Sequence, residues 1–149
     1  SSTKIRNALN EGNISLANDF LGFPYFITGI VQKGKQLGRT IGFPTANIKI
    51  EENYKLIPKK GVYIVSSFYN NQKVFGLMNI GTNPTVEGKN LSVEVYYLDY
   101  DSDLYHQKMD VLLHYYIRSE QKFSSIDLLK NQIKSDKKFA IDYIQKNLI

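Results

Sequence analysis

Residues 34 to 47 read Gly34-Lys35-Gln36-Leu37-Gly38-Arg39-Thr40-Ile41-Gly42-Phe43-Pro44-Thr45-Ala46-Asn47. Three glycines, two cations and a hydroxyl–amide pair are the ingredients of an anion site. Glycines let backbone N–H groups turn toward an anion. Lys35 and Arg39 add charge, Arg39 in a planar fork that suits phosphate oxygens. Pro44 stiffens the exit, so Thr45 and Asn47, two apart on an extended segment, present oxygens on one side. Mg²⁺ takes such oxygens beside phosphates and waters. The stretch predicts a Mg-nucleotide site, and a basic hairpin loop without ligand is the alternative that composition leaves open. Gly29 to Lys35 also spells the G-x-x-x-x-G-K opening of a Walker A loop. Gln36, however, stands where Ser or Thr must hold Mg²⁺, and Pro44 precludes the following helix. That match is accidental.

A second candidate is Glu94, a carboxylate inside the run Leu91-Ser92-Val93-Glu94-Val95-Tyr96-Tyr97. Alternation puts Glu94 on the face of Ser92 and Tyr96, opposite Val93 and Val95. A mid-strand Glu is solvated, paired or functional. As a functional group it is a general base taking a proton from a hydroxyl nucleophile. Phosphoryl transfer needs little beyond such a base, a metal and placed phosphate donors. Arg118-Ser119-Glu120-Gln121-Lys122-Phe123 supplies polar groups for a ligand edge and an aromatic cover, or else a solvated connection. His106 and His114 lack zinc-site spacing, and no Ser–His–acid grouping can be picked out.

These residues need a scaffold. Residues 1–22 read as two short helices. The first is capped by Ser2 or Thr3, carries Ile5, Ala8 and Leu9, and breaks at Gly12-Asn13. The second has Leu16, Ala17, Phe20 and Leu21 on one face and stops at Gly22 and Pro24. So short a pair must pack on the main body or on a missing neighbour. From Tyr25 the period becomes extended: 25–32, 46–50, 62–69, 73–80, 91–99 and 109–118 read as six strands. Asn70-Asn71 signals a tight hairpin. Residues 51–61 and 81–90 read as irregular spans and 99–103 as an acidic turn. Ser124, with Asp127, caps a last helix whose stripe is Ile126, Leu129, Ile133, Ala140 and Ile144. The expected fold is mainly β: a six-stranded antiparallel, Greek-key-like barrel with a C-terminal helix and a helical N-terminal stub.

The totals agree. With 149 residues, 42% apolar and 22% charged, the chain is long enough for one substantial core. Nineteen basic and fourteen acidic residues give +5, which favours anionic ligands. Zero cysteines exclude disulfides, Cys-ligated zinc and thiol catalysis, and fit a reducing, cytoplasmic setting. No apolar run is long enough to span a membrane, and no export leader is visible. A chain opening on Ser1 is expected to be a piece of something longer.

The region Gly38–Asn47 closely resembles the signature loop of riboflavin kinases. The resemblance continues through Leu56–Tyr63, Asn79–Thr85, Val93–Val95, Asp101–Tyr105 and Arg118–Phe123, covering about residues 23–145. Ser1–Arg6 separately resembles the closing signature of the FMN adenylyltransferase module of bacterial FAD synthetases. The resemblance implies a riboflavin kinase domain at 23–149, with 1–22 a linker from the adenylyltransferase module of the same parent chain. It implies transfer of the ATP γ-phosphate to the ribityl hydroxyl of riboflavin, with Mg²⁺, giving FMN. By position, Thr45 and Asn47 would bind Mg²⁺ and ATP, and Gly34, Gly38 and Arg39 would frame the phosphates. Glu94 would be the base, and Ile117, Arg118, Glu120 and Phe123 would lie along the flavin. Ser119 stands where the family usually has Pro, and His106 where a Gly commonly follows Leu-Tyr. The alternatives are a basic barrel binding nucleic acid and a non-catalytic flavin-binding domain. The combination of Thr45, Asn47 and Glu94 favours the kinase, with small-molecule substrates and neither nucleic acid nor membrane as partner.

Overall fold

The computed structural model describes residues 2–33, 42–51, 55–99 and 104–149. Helices α1 (Ser2–Glu11) and α2 (Ile14–Leu21) precede strands β1 (Phe26–Lys33), β2 (Ala46–Lys49), β3 (Gly61–Tyr69), β4 (Gln72–Thr85), β5 (Gly88–Tyr97) and β6 (Lys108–Arg118). Helix α3 (Ile126–Asn147) ends the chain. The strands close into an antiparallel barrel in the order β1-β2-β5-β4-β3-β6. Among the described residues closure gives every strand a partner on both sides over part of its length, which limits exposed edges. No helix among the described residues is long and apolar enough to cross a membrane.

Period-2 alternation builds two cores. Ile27, Val31, Ile48, Tyr63, Val65, Met78, Val93, Val95, Val111 and Leu113 fill the interior. Val62, Ile64, Leu77 and Leu98 face outward and are covered by Ala140 and Ile144 of α3. Asn70 and Asn71 join β3 to β4 with φ of 51° and 58°, the left-handed pair a tight hairpin with right-handed twist requires.

Gly29 explains the accidental Walker-like spacing. It lies in β1, where an added Cβ would stand 2.6 Å from the Lys49 carbonyl oxygen of β2. Close strand approach, not phosphate, demands a glycine there.

The structure corrects four expectations. Residues 81–90 are not irregular: β4 and β5 continue pairing through Thr82↔Leu91, Asn83↔Asn90 and Pro84↔Lys89 to a turn at Val86 and Glu87. Beyond Ile80, β4 pairs with β5 alone among the described residues, and this two-stranded pairing carries both strands past Pro84 and Gly88, which read as breakers. Pro84 is tolerated because its missing N–H can face the unpaired side. In α2 the buried residues are Ile14 and Ala17, while Leu16 and Phe20 are exposed. Asn18 sets that rotation, donating to the Leu113 carbonyl at 2.9 Å and accepting from Tyr25 N–H at 2.8 Å. The N-cap of α3 is Ser125, one residue later than expected, accepting from Leu128 N–H at 3.2 Å. Ile126, in the first turn, stays 54% exposed, ahead of where the helix meets the barrel.

Helices α1 and α2 pack on the barrel: Ala8, Leu9, Ile14 and Ala17 belong to its interior cluster. Lys59 N–H bonds the Leu9 carbonyl at 3.1 Å, tying the helices to the approach to β3. His106 adopts φ 68°, a left-handed conformation that glycine takes without strain and that His tolerates better than bulkier residues. Its N–H still bonds the Val31 carbonyl at 2.8 Å, so the turn before β6 stays pinned to β1.

Tertiary packing also joins residues that the sequence separates. Ser66 Oγ lies 2.7 Å from His114 Nε2. Burial, then the charge of Lys73, pushes the His114 pKa down from 6.5 to about 4. Between these values the unfolded chain binds more protons, so this contribution is complete above pH 6.5 and is lost as pH falls toward 4. Because the ring is half-buried, solvent screening cuts the effect to about 1–2 kcal/mol. His114→Gln keeps a hydrogen-bonding group and removes the titration. Urea unfolding at pH 7 and 4.5 is expected to show the wild type losing about 1–2 kcal/mol more than the variant. Parallel losses would reject the assignment.

Candidate active site

One row of residues runs across five strands. Asn47 on β2 pairs with Glu94 on β5, and Glu94 with Asn79 on β4. Asn79 pairs with Val62 on β3, and Val62 with Arg118 on β6. Asn47, Glu94, Asn79 and Val62 share the outer face, each beside an inward residue (Ile48, Val95, Met78 and Tyr63), and Arg118 reaches Asp136 of α3 on that face. The face predicted for Glu94 is the one observed. Three strand spacings of about 4.8 Å separate Glu94 from Arg118, so the row spans roughly 14 Å of sheet.

Above this row lies a cleft of about 290 Å³ between the outer face, the 119–123 connection and the N-terminal half of α3. Its floor is Val62, Leu77, Asn79, Glu94 and Tyr96, and Leu129 and Ile133 of α3 form the opposite wall. Phe43 and Thr45 close one end, Glu120 and Phe123 the other. Phe43 packs its ring edge on Tyr96 with centroids 5.4 Å apart, which anchors the residues entering β2 against the cleft wall. Lys137 Nζ stands 5.9 Å from the Tyr96 ring and brings positive charge toward this wall.

Two bulges in β6 shape the other end. Its pairing with β3 slips between Val62 and Tyr63 and again between Ile64 and Val65. The slips turn Tyr115 outward onto Tyr143 of α3, ring centroids 4.5 Å apart, and Tyr116 onto Tyr63 at 5.1 Å. After the second, Arg118 returns to the outer face. Its Nε donates to both Asp136 carboxylate oxygens at 3.1 Å and its Nη2 donates to Oδ2 at 2.8 Å. The guanidinium also covers the Phe123 ring at 5.8 Å. Ser119 accepts a hydrogen bond from the Tyr116 hydroxyl at 3.1 Å, which tethers the start of the connection.

Of the residues singled out from the sequence, Thr45, Glu94, Arg118, Glu120 and Phe123 line this cleft. Asn47 stands opposite Glu94 in the ladder but outside the lining. Ile117 packs in the outer cluster near Ala140 and Ile144 and does not line the cleft. Gly34, Gly38 and Arg39 lie outside the described residues. The sequence reading missed Asn79, Tyr96 and Asp136, all of which line the cleft. Asp136 left a readable signal: it falls on the apolar stripe between Ile133 and Ala140.

No cluster of three or more acidic or histidine side chains capable of holding a metal exists among the described residues. Thr45 and Asn47 offer neutral oxygens, a donor set that fits Mg²⁺ when substrate phosphates provide the anionic ligands.

Fold and site together define a small closed barrel with a partly apolar cleft under its terminal helix and the Glu94 carboxylate in its lining. The chain belongs to the riboflavin kinase family, enzymes that phosphorylate riboflavin to FMN: the family model "Flavokinase: Riboflavin kinase" matches residues 21–144. It is similar to the bifunctional riboflavin kinase/FMN adenylyltransferase of Escherichia coli (strain K12), 45% identical over 144 residues, 96% of this chain and 45% of that protein. The chain thus spans under half the length of the curated relatives it matches. A crystal structure named as a macrolide-efflux protein from Streptococcus pneumoniae superimposes with a TM-score of 0.87 at 35% identity, covering 99% of this chain and 46% of that one. The riboflavin kinase from Trypanosoma brucei superimposes with a TM-score of 0.57 at 28% identity, over 84% of this chain and 82% of that one.

Proposed function

We propose that this chain transfers the γ-phosphoryl group of ATP to the terminal ribityl hydroxyl of riboflavin, with Glu94 as general base. The observation that carries this reading is the ladder row in which Glu94, Asn79 and Arg118 line one cleft and Asn47 stands opposite Glu94 on the next strand. A base at one end and an apolar, partly charged channel beyond it suit a flat ring with a hydroxylated tail. Glu94 accepts the hydroxyl proton as the oxygen bonds to the γ-phosphorus. The bond to the β-phosphate bridging oxygen breaks, and its electron pair leaves with ADP. Thr45 and Asn47 would hold Mg²⁺, which supplies charge neutralisation at the phosphates when bound. Gly34, Gly38 and Arg39 frame the nucleotide phosphates in this reading. Leu129, Ile133 and Phe123 cover the flavin ring, and Arg118 and Glu120 meet its polar edge.

Residues 1–22 are read as the linker from an adenylyltransferase module of the same parent chain, and 23–149 as the kinase domain. The support is the second activity in the E. coli relative's name and the 45% share of its length matched here. A cytoplasmic setting goes with these substrates. Incubating the chain with riboflavin and Mg-ATP, then separating flavins by fluorescence-detected chromatography, is expected to yield FMN and no FAD. Absence of FMN despite bound riboflavin and nucleotide would reject the kinase reading for this chain.

Gly81 gives a test of the flavin end. A Cβ there would collide with Glu120 Oε1 and stand 3.0 Å from its Cδ. Gly81→Ala therefore pushes the Glu120 carboxylate off the sheet. Losing one hydrogen bond to the flavin edge is expected to raise the riboflavin KM about fivefold. The melting temperature should barely move, because the far end of a flexible side chain yields. An unchanged KM would remove Glu120 from the flavin contacts.

A further inference from the structure

Asp136 is 4% exposed and occupies an apolar stripe of α3, between Ile133 and Ala140. Its Oδ1 accepts from Arg118 Nε at 3.1 Å and from Gln132 Nε2 at 3.0 Å, and its Oδ2 accepts from Arg118 Nε and, at 2.8 Å, from Nη2. Arg118 Nη1 donates to the Ser119 carbonyl at 3.2 Å. Among the described residues these bonds engage three of the five guanidinium N–H groups and leave one on each terminal nitrogen.

Stability alone explains this arrangement poorly. Removing both charges from water offsets most of their attraction, and a well-packed apolar pair would serve the fold as well. A bidentate carboxylate does what an apolar neighbour cannot: it fixes the plane of the guanidinium. Here it does so from the α3 side, on a residue that lines the cleft.

We propose that Asp136 is a positioning residue that locks Arg118, so that its remaining N–H pair meets hydrogen-bond acceptors on the polar edge of the flavin. The inference deepens the proposed kinase reading and rests on it. It also makes the seat of α3 part of the flavin site, because the helix that covers the ring carries the group that orients the arginine.

The test measures riboflavin Kd by flavin fluorescence quenching alongside steady-state kinetics. Asp136→Asn is expected to raise both the Kd and the riboflavin KM about tenfold to a hundredfold. The ATP KM should stay unchanged and kcat within about threefold of wild type, since charge at the reacting end is untouched. In an Arg118→Met background, replacing Asp136 by Leu should restore the melting temperature without restoring riboflavin affinity. That double variant keeps the test decisive if the single substitution fails to fold. Wild-type flavin affinity in the folded double variant, or in a folded Asp136→Asn variant, would overturn the proposal. So would a further loss when Asp136→Leu is added to Arg118→Met, because a residue acting through Arg118 has no effect once Arg118 is gone. Wild type that binds riboflavin without making FMN would reject the kinase reading yet leave the affinity comparison decisive. Wild type that binds no riboflavin would overturn both.

Discussion

Glu94→Gln is expected to lower kcat about 10²- to 10⁴-fold while riboflavin and ATP still bind with near-normal affinity. Glutamine keeps the shape and hydrogen-bonding reach of the side chain but cannot accept the hydroxyl proton at neutral pH. The strand tolerates the change, because Glu94 is half-buried on the outer face, between inward-facing Val93 and Val95. A loss confined to kcat marks an interaction made in the transition state, whereas a loss confined to KM marks ground-state binding. Isothermal titration of both ligands, beside single-turnover rates of FMN formation, separates the two. Near-normal turnover would remove Glu94 as the base.

The second large effect is expected at Asn47. Asn47→Ala deletes an oxygen beside the entry to β2, opposite Glu94 in the ladder. A lost contact to a charged ligand weakens binding by about 1.5–3 kcal/mol, or roughly tenfold to a hundredfold. The expected result is a rise of that size in the KM for Mg-ATP, with riboflavin affinity unchanged because Arg118, Glu120 and Phe123 are untouched. Raising Mg²⁺ should recover part of the loss if Asn47 helps to hold the ion. Unchanged nucleotide affinity would tell against its role.

Much of the framework is legible from local pattern. Extended alternation marks β1, β2, β3 and β6 to within one residue at each end. The Asn70-Asn71 turn is legible because two adjacent left-handed residues are chemically recognisable. The distal β4–β5 hairpin is not, because Pro84 and Gly88 read as breakers while cross-strand pairing carries both strands past them. The buried face of α2 is likewise hidden: its rotation follows from Asn18 bonding Leu113 in β6, a residue 95 positions away.

For the candidate site, local pattern supplies the residue types and, for Glu94, the face. A period of two fixes which side of a strand a residue occupies, and Glu94 alternates with Val93 and Val95. What it does not fix is which strands are neighbours, or in what register. Barrel closure places Asn47, Glu94, Asn79 and Arg118 in one row, although Asn47 and Arg118 lie far apart in the chain. The β6 bulges then exchange the faces of Tyr115 and Tyr116, against strict alternation. The docking of α3 turns Asp136 from an apparent interruption of an apolar stripe into the partner of Arg118. These features depend on long-range packing, which selects among strand pairings and helix rotations that local propensity leaves nearly equal in energy.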